Sequence, residues 1–221
     1  MPTETFVNLP SAKRRRIVEL AMDEFARHPY ARASLSRIVA RAGIAKGSVY
    51  QYFDNKLDLY RWLVLEEAPR RKLAYLEGAG RAVEGDFFHR LEAFVVDGIE
   101  LTARDVRLSG LLGNFARETA PEVAPLLEES RRRSRAYLLE MLRGAREAGS
   151  LRDDVDLETA ADVLGHVLGE ALLEGIVRRL GITRADAMRH PSRVASMPVA
   201  ERRRMARQLV DVLRRGLGSA R

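Results

Sequence analysis

Apolar positions recur every three to four residues along nearly the whole chain, and no stretch shows the sustained two-residue alternation of a half-buried strand. The pattern predicts an all-α protein. In 11–28, Ile17, Ala21 and Phe25 repeat every fourth residue, with Ser11 as N-cap and Pro29 as the stop. A second helix starts after Ser34, turns Ile38, Val39 and Ala42 inward, and ends at Gly43, whose freedom in the left-handed region lets Ile44 fold back over the helix end. A short third helix covers roughly 46–53. Asn55 caps a fourth, with Asp58 three residues on to complete a capping box. That helix runs to about 78 and contains Pro69, whose ring deletes a backbone hydrogen bond and clashes with the preceding turn, so a kink is expected near Leu65. Further amphipathic stretches cover 86–104, 105–118, 121–148, 157–180 and 198–217, punctuated by Gly149, Gly181 and Pro198. The segment 182–197 has weak periodicity and reads as a loop with one helical turn.

The third helix has an unusual face. At about 100° of rotation per residue, Val49 and Phe53 point inward together. Gly47, Ser48 and Gln51 face away, and Tyr50 and Tyr52 fall on the two flanks. An outer face that is small and polar in the middle lets the helix backbone press close to another surface. In a major groove, Ser48 and Gln51 would reach base edges or phosphate, and the tyrosines phosphate or a thymine methyl. Two helices joined by a glycine turn, the second short and exposed, form the helix-turn-helix plan. A plain helical hairpin with tyrosines covering core edges fits the helix order equally well. Lys56 tips the balance: a cation in a helix's first turn is disfavoured by roughly 0.3–1 kcal/mol, which points to a contact elsewhere, a phosphate being the simplest.

Charge agrees without deciding. The net charge is +7, and residues 1–60 hold ten Lys or Arg against six Asp or Glu. A basic N-terminal quarter suits a polyanion, either nucleic acid or a membrane surface, though a solvated arginine-rich surface explains it as well. There is no cysteine, which excludes disulfides, thiolate metal sites and a cysteine nucleophile. The start has no apolar signal core and the apolar runs are far too short to span a bilayer, so a cytoplasmic protein is expected.

The stretch "SLSRIVARAGIAKGSVYQYFDNKLDLY" (34–60) resembles the DNA-binding signature of TetR-family transcriptional regulators, through its small-polar start, its "AG" turn, "KGSVYQYF" and "NK" followed by an acid and an apolar pair. "AGSLRDDVDLETAADVLGHVLGE" (148–170) resembles the family more loosely. The resemblance implies a helix-turn-helix DNA-binding domain at 1–54 and, joined by a long helix, a C-terminal domain at 55–221 that binds a small effector and forms a homodimer. Carried over by position, Ser34, Ser36 and Arg37 open the second helix beside the DNA backbone. Lys46, Gly47, Ser48, Tyr50, Gln51 and Tyr52 form the recognition helix, and Lys56 anchors a phosphate. The family usually has serine or threonine where this chain has Ala45, so the third helix lacks a side-chain cap and is expected to fray when free. The partners implied are a double-stranded palindromic operator, a second copy of the chain and a small, largely apolar effector, with no membrane, metal or cofactor. A repressor is the expectation; an activator, or a regulator without an effector, is the alternative.

Within the C-terminal domain a pair of apolar stripes are dimer candidates: Leu164, Val167, Leu168, Ala171 and Leu172, with Gly165 and Gly169 allowing close approach, and Met205, Leu209, Val212, Leu213 and Leu217. The alternative is that both stripes cover the protomer's own core. Trp62 and Tyr75 on the kinked helix, with Phe94, Leu111, Phe115 and Tyr137, could line an effector pocket, each being a plain core residue otherwise; His166 and Asn114 could add polar contacts. The histidines at 28, 89, 166 and 190 have no metal-ligand spacing, and no phosphate loop or nucleophile elbow is present, so an enzyme is not expected. A membrane-surface helix is disfavoured because the cations do not share one face of an apolar helix.

Overall fold

The computed structural model describes residues 1–80, 85–168, 172–189 and 191–219. Among these the chain is helical, with one isolated bridge between Leu151 and Gly218, and no helix is long and apolar enough to cross a membrane. The helices are α1 (Glu4–Val7), α2 (Ser11–Arg27), α3 (Leu35–Ala42), α4 (Lys56–Trp62), α5 (Ala68–Gly80), α6 (Phe87–Arg104), α7 (Val106–Ala116), α8 (Ala124–Glu147), α9 (Leu157–His166), α10 (Leu172–Arg179), α11 (Arg184–Arg189), α12 (Pro191–Ala195) and α13 (Val199–Leu217). Between α3 and α4 lies a 3-10 segment, Lys46–Gln51. The segment 182–197 is therefore not a loop: Thr183 and Asp186 exchange hydrogen bonds at the start of α11, and Val194 and Met197 are buried, so two short helices form where periodicity was too brief to read.

Local chemistry explains most boundaries. Pro10 occupies the N-cap of α2, which makes Ser11 its first helical residue. The Ser34 hydroxyl accepts the Arg37 N–H, Gly43 adopts φ 69° and Ile44 N–H returns to the Val39 carbonyl at 3.2 Å, which closes α3 in the left-handed manner. Asn55 accepts the Asp58 N–H at 3.0 Å, while the Asp58 carboxylate reaches the Asp54 N–H at 3.3 Å, one residue further back than a capping box requires. Where a kink is expected, the helix widens into a π-turn at Leu63–Glu67, in which Ala68 N–H donates to the Leu63 carbonyl five residues back. The widened turn ends where Pro69 withdraws its donor and its ring needs room.

The chain folds into two compact units. The first comprises Met1–Lys72 and Asp105–Ser130; its core gathers Ile17, Met22 and Phe25 of α2, Ile38 of α3, Leu59 and Tyr60 of α4, and Leu108, Leu111 and Phe115 of α7. α2 packs most extensively on α7. The second comprises Leu73–Arg104 and Arg131–Arg221, built on α6, whose Leu91, Val95 and Ile99 are buried beneath α12 and α13. Arg152 N–H donates to the Leu217 carbonyl at 3.0 Å, fastening the loop after α8 to the end of α13.

Candidate nucleic-acid interface

In the first unit, α3, the glycine turn and the 3-10 segment give a helix-turn-helix whose second member is only six residues long. No side chain caps it at Ala45. Its tighter winding changes which residues share a face. At three residues per turn, positions i and i+3 eclipse, so Tyr52 follows Val49 into the core, and the two are 4% and 2% exposed. Tyr52 is thus removed from the flank that a 3.6-residue period assigned to it. Gly47 and Tyr50 form one outward row, Ser48 and Gln51 another; Tyr50 is 54% exposed and Gln51 exposed. The side chain of Lys46 lies outside the described residues.

The sequence reading missed what holds this segment. Thr3 caps α1, its N–H donates to the Tyr52 carbonyl at 3.0 Å, and its hydroxyl donates to the Gln51 carbonyl at 2.6 Å. Phe6 is buried with its ring centroid 4.9 Å from Phe53, 5.5 Å from Trp62 and 5.7 Å from Tyr52. A short arm therefore clasps the C-terminal end of the segment whose N-terminal end is uncapped. The available signal was an N-cap threonine followed by an aromatic in "TETF".

Lys56 has a contact other than a phosphate. Its ammonium donates to the carbonyls of Tyr30 at 2.8 Å and Ala33 at 3.4 Å, and lies 4.2 Å from the centroid of the Tyr30 ring. The converging carbonyls of the α2–α3 connection hold the cation, so Lys56 positions α4 against that connection. Arg37 is similarly engaged: it donates to Glu24 at 2.9 Å and to the Arg32 carbonyl at 2.7 Å, while half of its side chain stays accessible. Burial pushes the Glu24 carboxyl up, but hydrogen bonds from Arg37 and the Ser34 N–H overcome this and hold it below the usual carboxylate range. Ser34 is half-buried as the cap of α3, and Ser36 is exposed in its first turn.

α7 completes the frame. Asn114 donates to the carbonyls of Phe25 and Ala26 at 3.0 and 2.9 Å, satisfying the end of α2, and Glu118 accepts the Tyr30 N–H at 2.7 Å. Asn114 is therefore a cap and not a ligand contact. Leu111 and Phe115 are 0% and 4% exposed and pack in this unit's core, with Phe115 edge-on to Tyr60. Trp62 faces a charged cleft of about 410 Å³ with Arg14, Arg15, Glu19 and Arg70, which differs from the apolar pocket expected of it.

The second unit has a groove of about 530 Å³ between α5, α6 and α8, lined by Leu76, Phe87, Leu91, Phe94 and Met141 with Tyr137 at its margin. Phe94 and Tyr137 are thus brought together as expected. Tyr75 is half-buried outside the groove's lining, and His166 is exposed on α9. Of the dimer candidates, Leu164, Leu172 and Leu213 are buried in the protomer's own core, and Leu168 and Leu209 are partly buried against it, because α9, α10 and α13 turn these rows toward α6 and α8. Gly169 and Ala171 lie outside the described residues. Val163 on α9 and Val199 and Val212 on α13 are large apolar residues that remain open, at 46%, 55% and 70% exposure.

Comparison with known proteins agrees with this geometry. Residues 17–62 match the model of a family described as bacterial regulatory proteins, tetR family. The chain is similar to a TetR family transcriptional regulator from Chloroflexus aurantiacus J-10-FL, with 35% identity, a TM-score of 0.76 and all of both chains covered. It is 29% identical over 192 residues to the HTH-type transcriptional repressor BepR of Brucella suis biovar 1 (strain 1330), covering 84% of this chain and 90% of that one. SmeT, the repressor of the Stenotrophomonas maltophilia multidrug efflux pump SmeDEF, shares 25% identity at a TM-score of 0.64, with 93% and 90% of the two chains covered.

Proposed function

The chain belongs to the TetR family of transcriptional regulators, and from that premise we propose that it represses transcription as a homodimer on a palindromic operator and leaves the operator when a small, largely apolar effector binds. It is a DNA-binding regulator and not an enzyme. The observation that carries the DNA-reading proposal is the outward face of the 3-10 segment, where Gly47 and Ser48 leave a shallow centre between Tyr50 and Gln51. Such a face admits close backbone approach to a groove floor, with Gln51 available for a base edge and Tyr50 for a phosphate or a thymine methyl. Ser36 and the accessible half of Arg37 favour the flanking backbone. The work of Lys56 is to keep α4 in register with this face.

Two copies double the phosphate contacts and read a palindrome of half-sites spaced by a helical turn or a multiple of it. Val163 and Val212 are the support for a dimer face on α9 and α13. The apolar groove supports an effector site in 55–221, with 1–54 as the region that reads DNA. Leu73 and Leu76 in its wall belong to α5, the continuation of the helix that begins at Lys56, so a ligand that shifts α5 can re-space the two recognition segments. This scheme operates on DNA in the cytoplasm.

Operator selection from random duplexes supplies the test. Gln51→Ala is expected to relax base preference at one position per half-site, a loss of about 1–3 kcal/mol of discrimination, and Tyr50→Phe to weaken binding. Unchanged duplex affinity and unchanged preference in both variants would overturn the assignment of the reading face.

A further inference from the structure

The groove of the second unit contains a carboxylate that an apolar ligand alone does not explain. Asp97 stands with Leu91, Phe94 and Met141 in its lining, three residues beyond Phe94 on the same side of α6. Among the described residues none donates a hydrogen bond to the Asp97 side chain or forms an ion pair with it. The arginines nearest along α6 are committed elsewhere. Arg104 pairs with Glu100 at 2.6 Å. Arg90 lines the same groove but stands about 10 Å away along the helix axis and donates to the Gly85 carbonyl at 3.3 Å. Glu100 and Tyr75 add no positive charge from α6 and α5. On α8, Tyr137 and Glu140 join the lining, with Glu140 exposed and paired with Arg143 at 3.8 Å. Arg202 of α13, which acts on Tyr75, donates to the Ala195 carbonyl at 2.7 Å. Burial first, and the Glu100 charge second, push the Asp97 carboxyl above its ordinary range. A carboxylate in such surroundings is relieved by a proton or by a cation.

We propose that the groove takes an apolar organic cation, its hydrocarbon body against Leu91, Phe94 and Met141 and its positive centre at Asp97. This inference rests on the effector reading above and names the chemical class of the ligand. A neutral ligand without a donor would bury Asp97 further without a partner, and an anion seated against Leu91, Phe94 and Met141 would meet the Asp97 carboxylate. A cation turns the partly desolvated charge into an attraction, in a medium where that attraction is stronger than in water.

Tetraphenylphosphonium and tetraphenylborate, nearly identical in shape and opposite in charge, separate these cases in calorimetric titrations of the full chain, with operator release followed in parallel by fluorescence anisotropy. The phosphonium is expected to bind at least about tenfold more tightly than the borate, a gap of about 1.4 kcal/mol. Asp97→Asn is expected to close that gap, Asp97→Glu to keep it, and Phe94→Ala to weaken both ions. Melting curves of the unliganded variants show that each is folded. The proposal is overturned if the borate binds as well as the phosphonium, if Asp97→Asn leaves the ratio intact, if Phe94→Ala leaves both affinities intact, or if neither ion binds. Release of operator by the borate alone would keep the effector reading and remove the cation. Tight, Asp97-dependent phosphonium binding without any change in operator affinity would keep the cation site and remove the effector role.

Discussion

Truncating Phe6 to alanine asks whether the N-terminal arm holds the recognition segment in place. Phe6 is 1% exposed and its ring lies between those of Tyr52, Phe53 and Trp62, at 5.7, 4.9 and 5.5 Å. Removing a phenyl group from such a site costs about 3–5 kcal/mol when the surroundings cannot collapse. α1 has only four residues, so it can detach locally, and the loss cannot exceed the free energy of its attachment. The bonds from Thr3 to the carbonyls of Gln51 and Tyr52 survive the truncation and contribute on the order of 1 kcal/mol each. The lower end, about 3 kcal/mol, is the expected loss, which for a chain of this size lowers Tm by about 6–12 °C.

Three measurements follow the variant: thermal unfolding, amide exchange at 48–53, and operator affinity as a function of salt. Exchange at 48–53 is expected to accelerate, because the segment loses its C-terminal support while its N-terminal end has no cap. Affinity is expected to fall with an unchanged salt slope, since no phosphate-neutralising cation has been removed. A Tm within about 2 °C of the parent, where even 1 kcal/mol would show, together with unaltered exchange would refute the clasp. A shallower salt slope would instead mean that the arm itself touches DNA.

Three further expectations concern the same unit. Ala45→Ser supplies the missing cap and is expected to stabilise the 3-10 segment by about 0.5–2 kcal/mol, read as slower exchange at Ser48 in the free protein; equal protection of the parent segment with and without operator would reject fraying as the reason. Gly43→Ala is expected to cost about 1–2 kcal/mol in chemical denaturation, purely through the backbone at φ 69°, because an added Cβ meets nothing within 4 Å; a much larger loss would mean that the turn bears other contacts. The carboxyls of Asp23, Glu24 and Glu67 are raised by burial but lowered further by their arginine partners, so each ends below its unfolded value. Their stabilisation is therefore complete above the unfolded carboxylate range near pH 4 and is lost as pH falls through the depressed folded values. Glu24→Gln is expected to flatten that acid limb in a fluorescence titration, and an unchanged limb would show that the Arg37–Glu24 pair does not titrate with unfolding.

How far the sequence reveals this fold depends on the range of each interaction. Gly43, Pro69 and Asn55 act on backbone within a turn of themselves, and the left-handed end, the π-turn and the cap all appear where their chemistry places them. The recognition segment differs because its period, and not its composition, decides which residues face out. A change from 3.6 to 3.0 residues per turn takes Tyr52 inside while leaving Tyr50 and Gln51 outside. Leu111 and Phe115 were legible as inward-facing but not as belonging to the first unit, since periodicity says that a residue packs and not against what. Lys56 shows the same limit: a cation where the helix dipole disfavours one suggested phosphate, yet three uncharged groups of one turn, two carbonyls and a phenol ring, surround it. What escaped is therefore the long-range framing of the reading face. Thr3 and Phe6 hold its far end, Glu24 fixes α3, Lys56 ties α4 to the α2–α3 connection, and Glu118 grips Tyr30 in that same connection. The frame around Tyr50 and Gln51 thus joins segments nearly ninety residues apart in sequence, because the backbone of Tyr30, whose N–H and carbonyl serve Glu118 and Lys56 at once, links the residues just after α7 to α4.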